Sequence, residues 1–284
     1  MALTRVSEIL KMADEAHTSA IAFICIDYNT AYSVARAAEE TNTPAIIMLL
    51  WEHNAKMNTM NMKGFAAMAR ELAQGVKVPI GVHLDHGYDY AEVFRAMNAG
   101  FNSVMIDGSA HPLEENIAIT KKVTETAHLL GVDVEAELGH VGMAVDHDGD
   151  KSDFYTDPAI AERFCRETDC DYLTISIGNA HGVYVETPHL DIARLEEINA
   201  ATDTPLVLHG GSGIPDEQLE VAFRKGINKF NLGTDFLAAY YQAILDYNAS
   251  VAGDDNPYKM LDLPMYTQEK LVAFLKTRLA LCHF

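Results

Sequence analysis

Val78-Pro79-Ile80-Gly81-Val82-His83-Leu84-Asp85-His86-Gly87 is an apolar run that ends in an acid, an imidazole and a glycine. Short apolar, β-branched runs of this kind read as buried strands, and the polar residues that follow read as a loop. The pattern recurs on both sides. Strands are expected at Ala20–Ile26, Ala45–Leu50, Val78–Leu84, Ser103–Ile106, Val132–Leu138, Tyr172–Ile177, Leu206–His209 and Lys229–Leu232. Amphipathic stretches lie between them: Ala31–Glu40, Phe65–Leu72, Tyr90–Ala99, Glu114–Leu130, Pro158–Glu167, Ile192–Ala200 and Glu217–Lys225. Strict alternation of strand and helix implies a parallel sheet. Eight repeats in 284 residues favour an α/β protein of the closed (β/α)8 TIM barrel type over an open sheet. Residues 1–284 therefore read as one barrel domain, with a C-terminal helical extension from about residue 252 and an irregular acidic stretch at Ala252–Met265. One loop, His140–Tyr155, is unusually long and charged.

Polar residues gather at the expected strand ends. Asp85 and His86 end the third strand and Asp107 the fourth, while Glu135 and Glu137 close the fifth. His181 follows the sixth, His209 ends the seventh and Asn231 the eighth. In a parallel barrel all of these ends meet at one face, where active sites lie. His86, His181 and His209 converge there, and three neutral imidazoles with an open fourth position are a recognised catalytic zinc set. Asp107 and Glu137 are alternative ligands, or acceptors for the imidazole N–H groups. His83 stays unassigned, because the side it faces depends on how regular its strand is. Glycines cluster in the loops after strands six to eight, at Gly182, Gly210, Gly211, Gly213 and Gly233, beside Ser212, Asn231 and Thr234. Backbone N–H groups in such loops form anion-binding nests, and the loops after strands seven and eight are the usual barrel phosphate site.

Lys plus Arg number 21 and Asp plus Glu 41, a formal net charge of -20. That surface repels nucleic acid and anionic membranes. No apolar run is long enough to suggest a membrane helix, and Met1–Ala16 lacks the pattern of a secretion signal. Cys25, Cys165, Cys170 and Cys282 match no CxxC spacing and read as reduced thiols of a cytoplasmic protein.

At these residues the chain resembles the class II (zinc-dependent) fructose-bisphosphate and tagatose-bisphosphate aldolase family. The matching stretches are Val82–Gly87, Ser103–Ser109, Val134–Gly139, Ile177–Gly182, Leu208–Pro215 and Asn228–Asp235, in family order. The resemblance implies that His86, His181 and His209 hold zinc, that Asp107 and Glu137 serve alternate metal positions, and that Asp85 exchanges a proton with the substrate C4 hydroxyl. It implies that Gly182, Gly210, Gly211, Ser212, Asn231, Gly233 and Thr234 bind the dihydroxyacetone phosphate half of a small phosphorylated sugar. A monovalent cation (Na+ or K+) near those loops, and a homodimer or homotetramer, are also implied.

The chain departs from the family in four places. Val145 stands where a loop acid shuttles a proton, leaving Asp146, His147 or Asp148 as substitutes. Leu50 replaces a Ser or Thr at the distal phosphate. Pro257-Tyr258-Lys259 replaces a Pro-Arg-Lys stretch, and Phe23-Ile24-Cys25-Ile26 replaces Phe-Asn-Val-Asn. Losing that Arg removes a charge-assisted, bidentate phosphate contact. Leu50 and Tyr258 would line a more apolar distal pocket, so a ketose 1-phosphate is the expected substrate. A conventional bisphosphate aldolase, a non-catalytic barrel subunit supporting a partner enzyme, and a zinc hydrolase remain the alternatives.

Overall fold

Strands as aliphatic as Ala45-Ile46-Ile47-Met48-Leu49-Leu50 need apolar cover on both faces. A closed barrel ringed by helices supplies it. The computed structural model of the protein describes residues 3–57, 60–139, 141, 155–182, 184 and 187–284. Its strands are β1 (Ala20–Ile24), β2 (Ala45–Leu50), β3 (Ile80–Gly87), β4 (Ser103–Ile106), β5 (Asp133–Leu138), β6 (Tyr172–Ile175), β7 (Leu206–Leu208) and β8 (Ile227–Leu232). Each pairs in parallel with the next, and β8 pairs with β1 to close the barrel. The expected fold is the one observed.

The lower end of the barrel is closed by α1 (Val6–Glu15), a helix the strand-and-helix pattern did not single out. Its Val6, Ile9 and Leu10 pack with Ala20, Ala22, Ile46, Met48, Tyr172 and Val207. Small inward residues on β1, Ala20 and Ala22, leave room for that plug. Just before α1, Arg5 is paired with the fully buried Asp133 of β5.

The outer helices are α2 (Tyr28–Thr41), α3 (Trp51–Met57), α4 (Met62–Gln74), α5 (Tyr90–Ala99), α6 (Leu113–Leu129), α7 (Pro158–Thr168), α8 (Ile192–Ala201), α9 (Asp216–Arg224), α10 (Thr234–Ser250) and α11 (Lys259–Leu279). Aspartates start several of them. Asp27, Asp89, Asp157 and Asp191 each accept a backbone N–H from the first turn of α2, α5, α7 and α8. These caps pair donors that the helix itself leaves open. Asp27 and Asp89 follow β1 and β3 closely, so there the cap also fixes where the strand-to-helix turn leaves the upper rim.

Two boundaries differ from expectation. The stretch Ala252–Met265 is not irregular throughout: α11 begins at Lys259 and carries Pro264 inside it. A proline there removes one helical N–H. The carbonyl so deprived belongs to Met260, which is 66% exposed, so water can take the bond. The second is α3, which follows β2 without a break and was not anticipated. Among the described residues no helix is long and apolar enough to cross a membrane.

Candidate active site

In a regular strand Asp85 and His86 would point to opposite faces. The pairing of β3 with β4 prevents this. Leu84 pairs with Val104 and Gly87 with Ile106, three steps on one strand against two on the other. His86 takes the extra position with φ of 51°. A bulge of this kind bends the strand and re-aims its side chains. Both Asp85 and His86 then line the same cavity at the upper rim.

His86, His181 and His209 meet there, with ring centroids 5.0–5.7 Å apart. Carboxylates fix two of the rings from behind. His86 Nδ1 lies 3.0 Å from Asp107 Oδ2, and His209 Nε2 lies 2.7 Å from Glu135 Oε1. Those nitrogens donate, because a carboxylate only accepts. The other nitrogens, His86 Nε2 and His209 Nδ1, then face each other across 3.2 Å. Two lone pairs so placed repel, so either a proton on one of the nitrogens or a metal ion bound by both must lie between them. The spacing matches the edge of about 3.3 Å between two nitrogens bound at 2.0–2.1 Å in a tetrahedral zinc site.

The carboxylates support the same conclusion. His86, His181, His209 and Glu137 offer ligand atoms that all lie within 4.8 Å of one another. Glu137 Oε1 accepts from the backbone N–H of Val141 at 3.1 Å, while its buried Oε2 has no hydrogen-bond partner among the described residues. Burial and the nearby Asp107 raise the Glu137 carboxyl to about 8. Burial lowers the His86 imidazole, but Asp85, Asp107 and Glu137 outweigh it and lift it to about 10. The pocket therefore favours positive charge at its centre, which a proton on His86 supplies and which a divalent ion held by the imidazoles would also supply. Asp107 and Glu137, equivalent in the sequence, are distinguished by geometry. Asp107 sits behind His86 and Glu137 converges with the imidazoles.

Asp85 is buried beside this cluster, and its Oδ1 accepts from the Asn231 amide at 3.0 Å. Below lies a network that sequence reasoning did not assemble. Glu135 does not reach the rim as its place near the end of β5 implied. It is fully buried in the barrel, where Lys229 Nζ donates to Oε2 at 2.7 Å and to Asn231 Oδ1 at 2.6 Å. Burial would raise the Glu135 carboxyl, but Lys229 and His209 hold it well below the usual range. His83 faces this interior, 2.6 Å from the Ser103 hydroxyl, and burial with the Lys229 charge pushes its imidazole well below the usual range. The signal was present: Lys229 and Asn231 are two apart on one strand and so share a face.

The cavity above measures about 570 Å³. Gly182, Gly210, Gly211, Ser212, Asn231, Gly233 and Thr234 all line it, as do Asp107 and Leu50. The glycines are required by space. A Cβ at Gly210 would stand 2.1 Å from the Ala180 carbonyl oxygen, and one at Gly211 would stand 1.8 Å from the Phe230 ring. α10 begins at Thr234, so its N-terminal end opens toward the same loops and favours an anion there. Gly213 departs from this set, since its N–H donates to Asp235 Oδ2 at 3.3 Å. Tyr258 is not among the described lining residues. It is 72% exposed at the start of α11, so within one chain it forms no part of a distal pocket. Ile24, Glu52, His53, Tyr88, Ser109 and Leu237 line the cavity without having been expected. Asp146, His147 and Asp148, with Val145, lie outside the described residues.

The sequence profile described as Fructose-bisphosphate aldolase class-II matches residues 4–283. The chain belongs to the class II fructose-bisphosphate aldolase family. As a class II aldolase it is a carbon–carbon lyase. It is 36% identical over 260 residues to a fructose-bisphosphate aldolase of Geobacillus stearothermophilus, covering 91% of this chain and 89% of that one. The crystal structure of the YdjI aldolase of Escherichia coli superposes with a TM-score of 0.86 at 32% identity, covering 99% of this chain and 97% of that one. The fructose-bisphosphate aldolase of Campylobacter jejuni gives a TM-score of 0.81 at 23% identity, covering 98% and 93% of the two chains, and at that identity speaks for the fold alone.

Proposed function

We propose that this aldolase uses zinc to cleave a ketose 1-phosphate reversibly into dihydroxyacetone phosphate and an aldehyde. The observation that carries it is the pair of imidazole nitrogens facing each other at 3.2 Å next to the buried Asp85. His86, His181 and His209 would hold the ion, with Glu137 able to join them. A divalent ion there supplies Lewis-acid stabilisation of the negative charge that develops on cleavage, worth several kcal/mol.

The chain's own residues do the rest. The Asn231 amide holds the Asp85 carboxylate in place. Asp85 takes the proton of the C4 hydroxyl as the C3–C4 bond breaks and C4 becomes the aldehyde carbon. The electron pair of that bond moves toward the C2 carbonyl, and a proton must then reach C3. Asp146, His147 or Asp148 are proposed to deliver it. A positioned acid or base contributes roughly 10²–10⁴-fold. Gly182, Gly210, Gly211, Ser212, Gly233 and Thr234 would receive the C1 phosphate. A sodium or potassium ion beside them would add to the positive field at that phosphate.

The far end of the cavity supports the choice of a 1-phosphate. No lysine or arginine occurs among the described residues that line it. Assembly as a homodimer or homotetramer fits the exposed Tyr258, Met260, Leu261 and Met265 around the start of α11. Four free, buried cysteines accord with a cytoplasmic location.

The test is release of dihydroxyacetone phosphate from a panel of ketose 1-phosphates and ketose 1,6-bisphosphates. Zinc-loaded protein should release it, chelated protein should not, and added zinc should restore release. A protein with bound zinc that cleaves no member of the panel, or whose Asp85→Ala variant cleaves as fast, would refute the proposal.

A further inference from the structure

Lys229 is fully buried inside the barrel, two residues before Asn231 on the same face of β8. A buried cation has to be paired and hydrogen-bonded. This one divides its bonds between two side chains that serve different parts of the site. Its Nζ donates to Glu135 Oε2 at 2.7 Å and to Asn231 Oδ1 at 2.6 Å. Each partner passes the constraint on. The other oxygen of Glu135, Oε1, accepts from His209 Nε2 and from the Thr174 hydroxyl, both at 2.7 Å. The amide of Asn231 has its oxygen turned to Lys229, so its nitrogen faces the other way and donates to Asp85 Oδ1 at 3.0 Å. An ammonium group only donates, so it decides which end of the amide Asp85 meets. A reversed amide would set its oxygen against the carboxylate.

We infer that Lys229 is a positioning residue that sets the metal ligand His209 and the base Asp85 as one unit, through Glu135 on one side and Asn231 on the other. Through Glu135 it keeps the His209 ring turned with Nδ1 toward His86. Through Asn231 it keeps the Asp85 carboxylate beside that ring, with Oδ1 4.0 Å from His209 Nε2. The separation matters because the base acts on the C4 hydroxyl while the metal acts on the charge developing nearby. A misplacement of about 1 Å can cost about a hundredfold in rate. Lys229 itself touches no reacting atom. A buried ion pair is weak evidence of a gain in stability, since apolar groups of the same volume do as well. Its place between a metal ligand and a base gives this pair a different use. The inference rests on the function proposed above and adds the residue that aligns its two working parts.

The test separates positioning from plain stability with two variants of the full chain, Lys229→Met and the double variant Lys229→Met with Glu135→Gln. Zinc Kd is read by competition with a chelator, melting temperature by calorimetry, and kcat and KM from release of dihydroxyacetone phosphate at saturating zinc. Lys229→Met should weaken zinc binding about tenfold. It should lower kcat about a hundredfold with KM little changed, because the loss falls on the transition state. This variant leaves Glu135 buried without its cation and is expected to melt early. The double variant leaves no charge buried alone, so it should regain most of the melting temperature and still show the loss in kcat. A double variant that regains melting temperature and kcat together overturns the inference, because Lys229 would then serve the fold alone. A folded Lys229→Met whose zinc Kd stays within about twofold of wild type also overturns it. If Lys229→Met does not fold, the kcat of the double variant decides. If the wild type cleaves no sugar, the aldolase reading fails, and the zinc Kd of Lys229→Met still decides whether Lys229 holds the metal ligand.

Discussion

The two ends of the cavity are built on opposite principles. At β7, β8 and α10 the backbone itself forms the surface: Gly210, Gly211 and Gly233 carry no side chain, and a helix begins at Thr234. At β2, α3 and β3 side chains form it: Leu50, Glu52, His53 and Tyr88. Backbone N–H groups and helix ends bind phosphate without lysine or arginine, which a chain of net charge -20 can ill supply. That wall holds no lysine or arginine among the described residues, so a second phosphate would find no fixed charge there. Under the proposed function, one end would recognise what every substrate shares and the other would decide what differs. The glycines are held by sterics, since a methyl group at Gly211 meets the Phe230 ring.

Asp85 sits between the ends, and its loss should ignore the difference. Asp85→Asn should lower kcat by about 10²–10⁴-fold for every ketose cleaved, with KM and zinc content little changed. Stopped assays across the panel check this, and a loss confined to one class of substrate would tie Asp85 to one end.

Gly211→Ala addresses the shared end. Its Cβ has no room beside Phe230, so the loop after β7 must move. KM should rise about tenfold or more for all phosphorylated substrates alike, and stability should fall by about 1–3 kcal/mol. Steady-state kinetics and denaturant melts measure the two effects. Unequal KM changes between 1-phosphates and bisphosphates would break the division of labour.

Leu50→Lys places a cation at the other end and should have the smallest effect. kcat/KM for ketose 1,6-bisphosphates should rise about three- to tenfold, with 1-phosphates changed by no more than about twofold. A competition assay with both substrates in one vessel resolves changes of that size.

Much of this could be seen in the residues. Strand-ending Asp85, His86 and Asp107, and the glycines after β7 and β8, marked the rim because polar residues at the ends of apolar strands have few other reasons to recur. Asp27, Asp89, Asp157 and Asp191 start helices by capping, which is local chemistry set by residue order. α1 was hidden because its apolar face serves the interior of the barrel and not an outer layer. Pro264 obscured the start of α11, since a proline ordinarily argues against a helix interior. Glu135 was misplaced at the rim. In the folded barrel it lies below, paired with Lys229.

Alternation of short apolar runs with amphipathic helices was enough to specify a closed parallel barrel, because periodicity and length depend on residue order alone. The family and the three histidines were also legible there. The division between Asp107 and Glu137 was not, nor was the direction in which Asp85 and His86 point. Those depend on a single extra residue in the pairing of β3 with β4. Register between strands is a property of the assembled sheet, and one residue of shift changes which face every following side chain occupies.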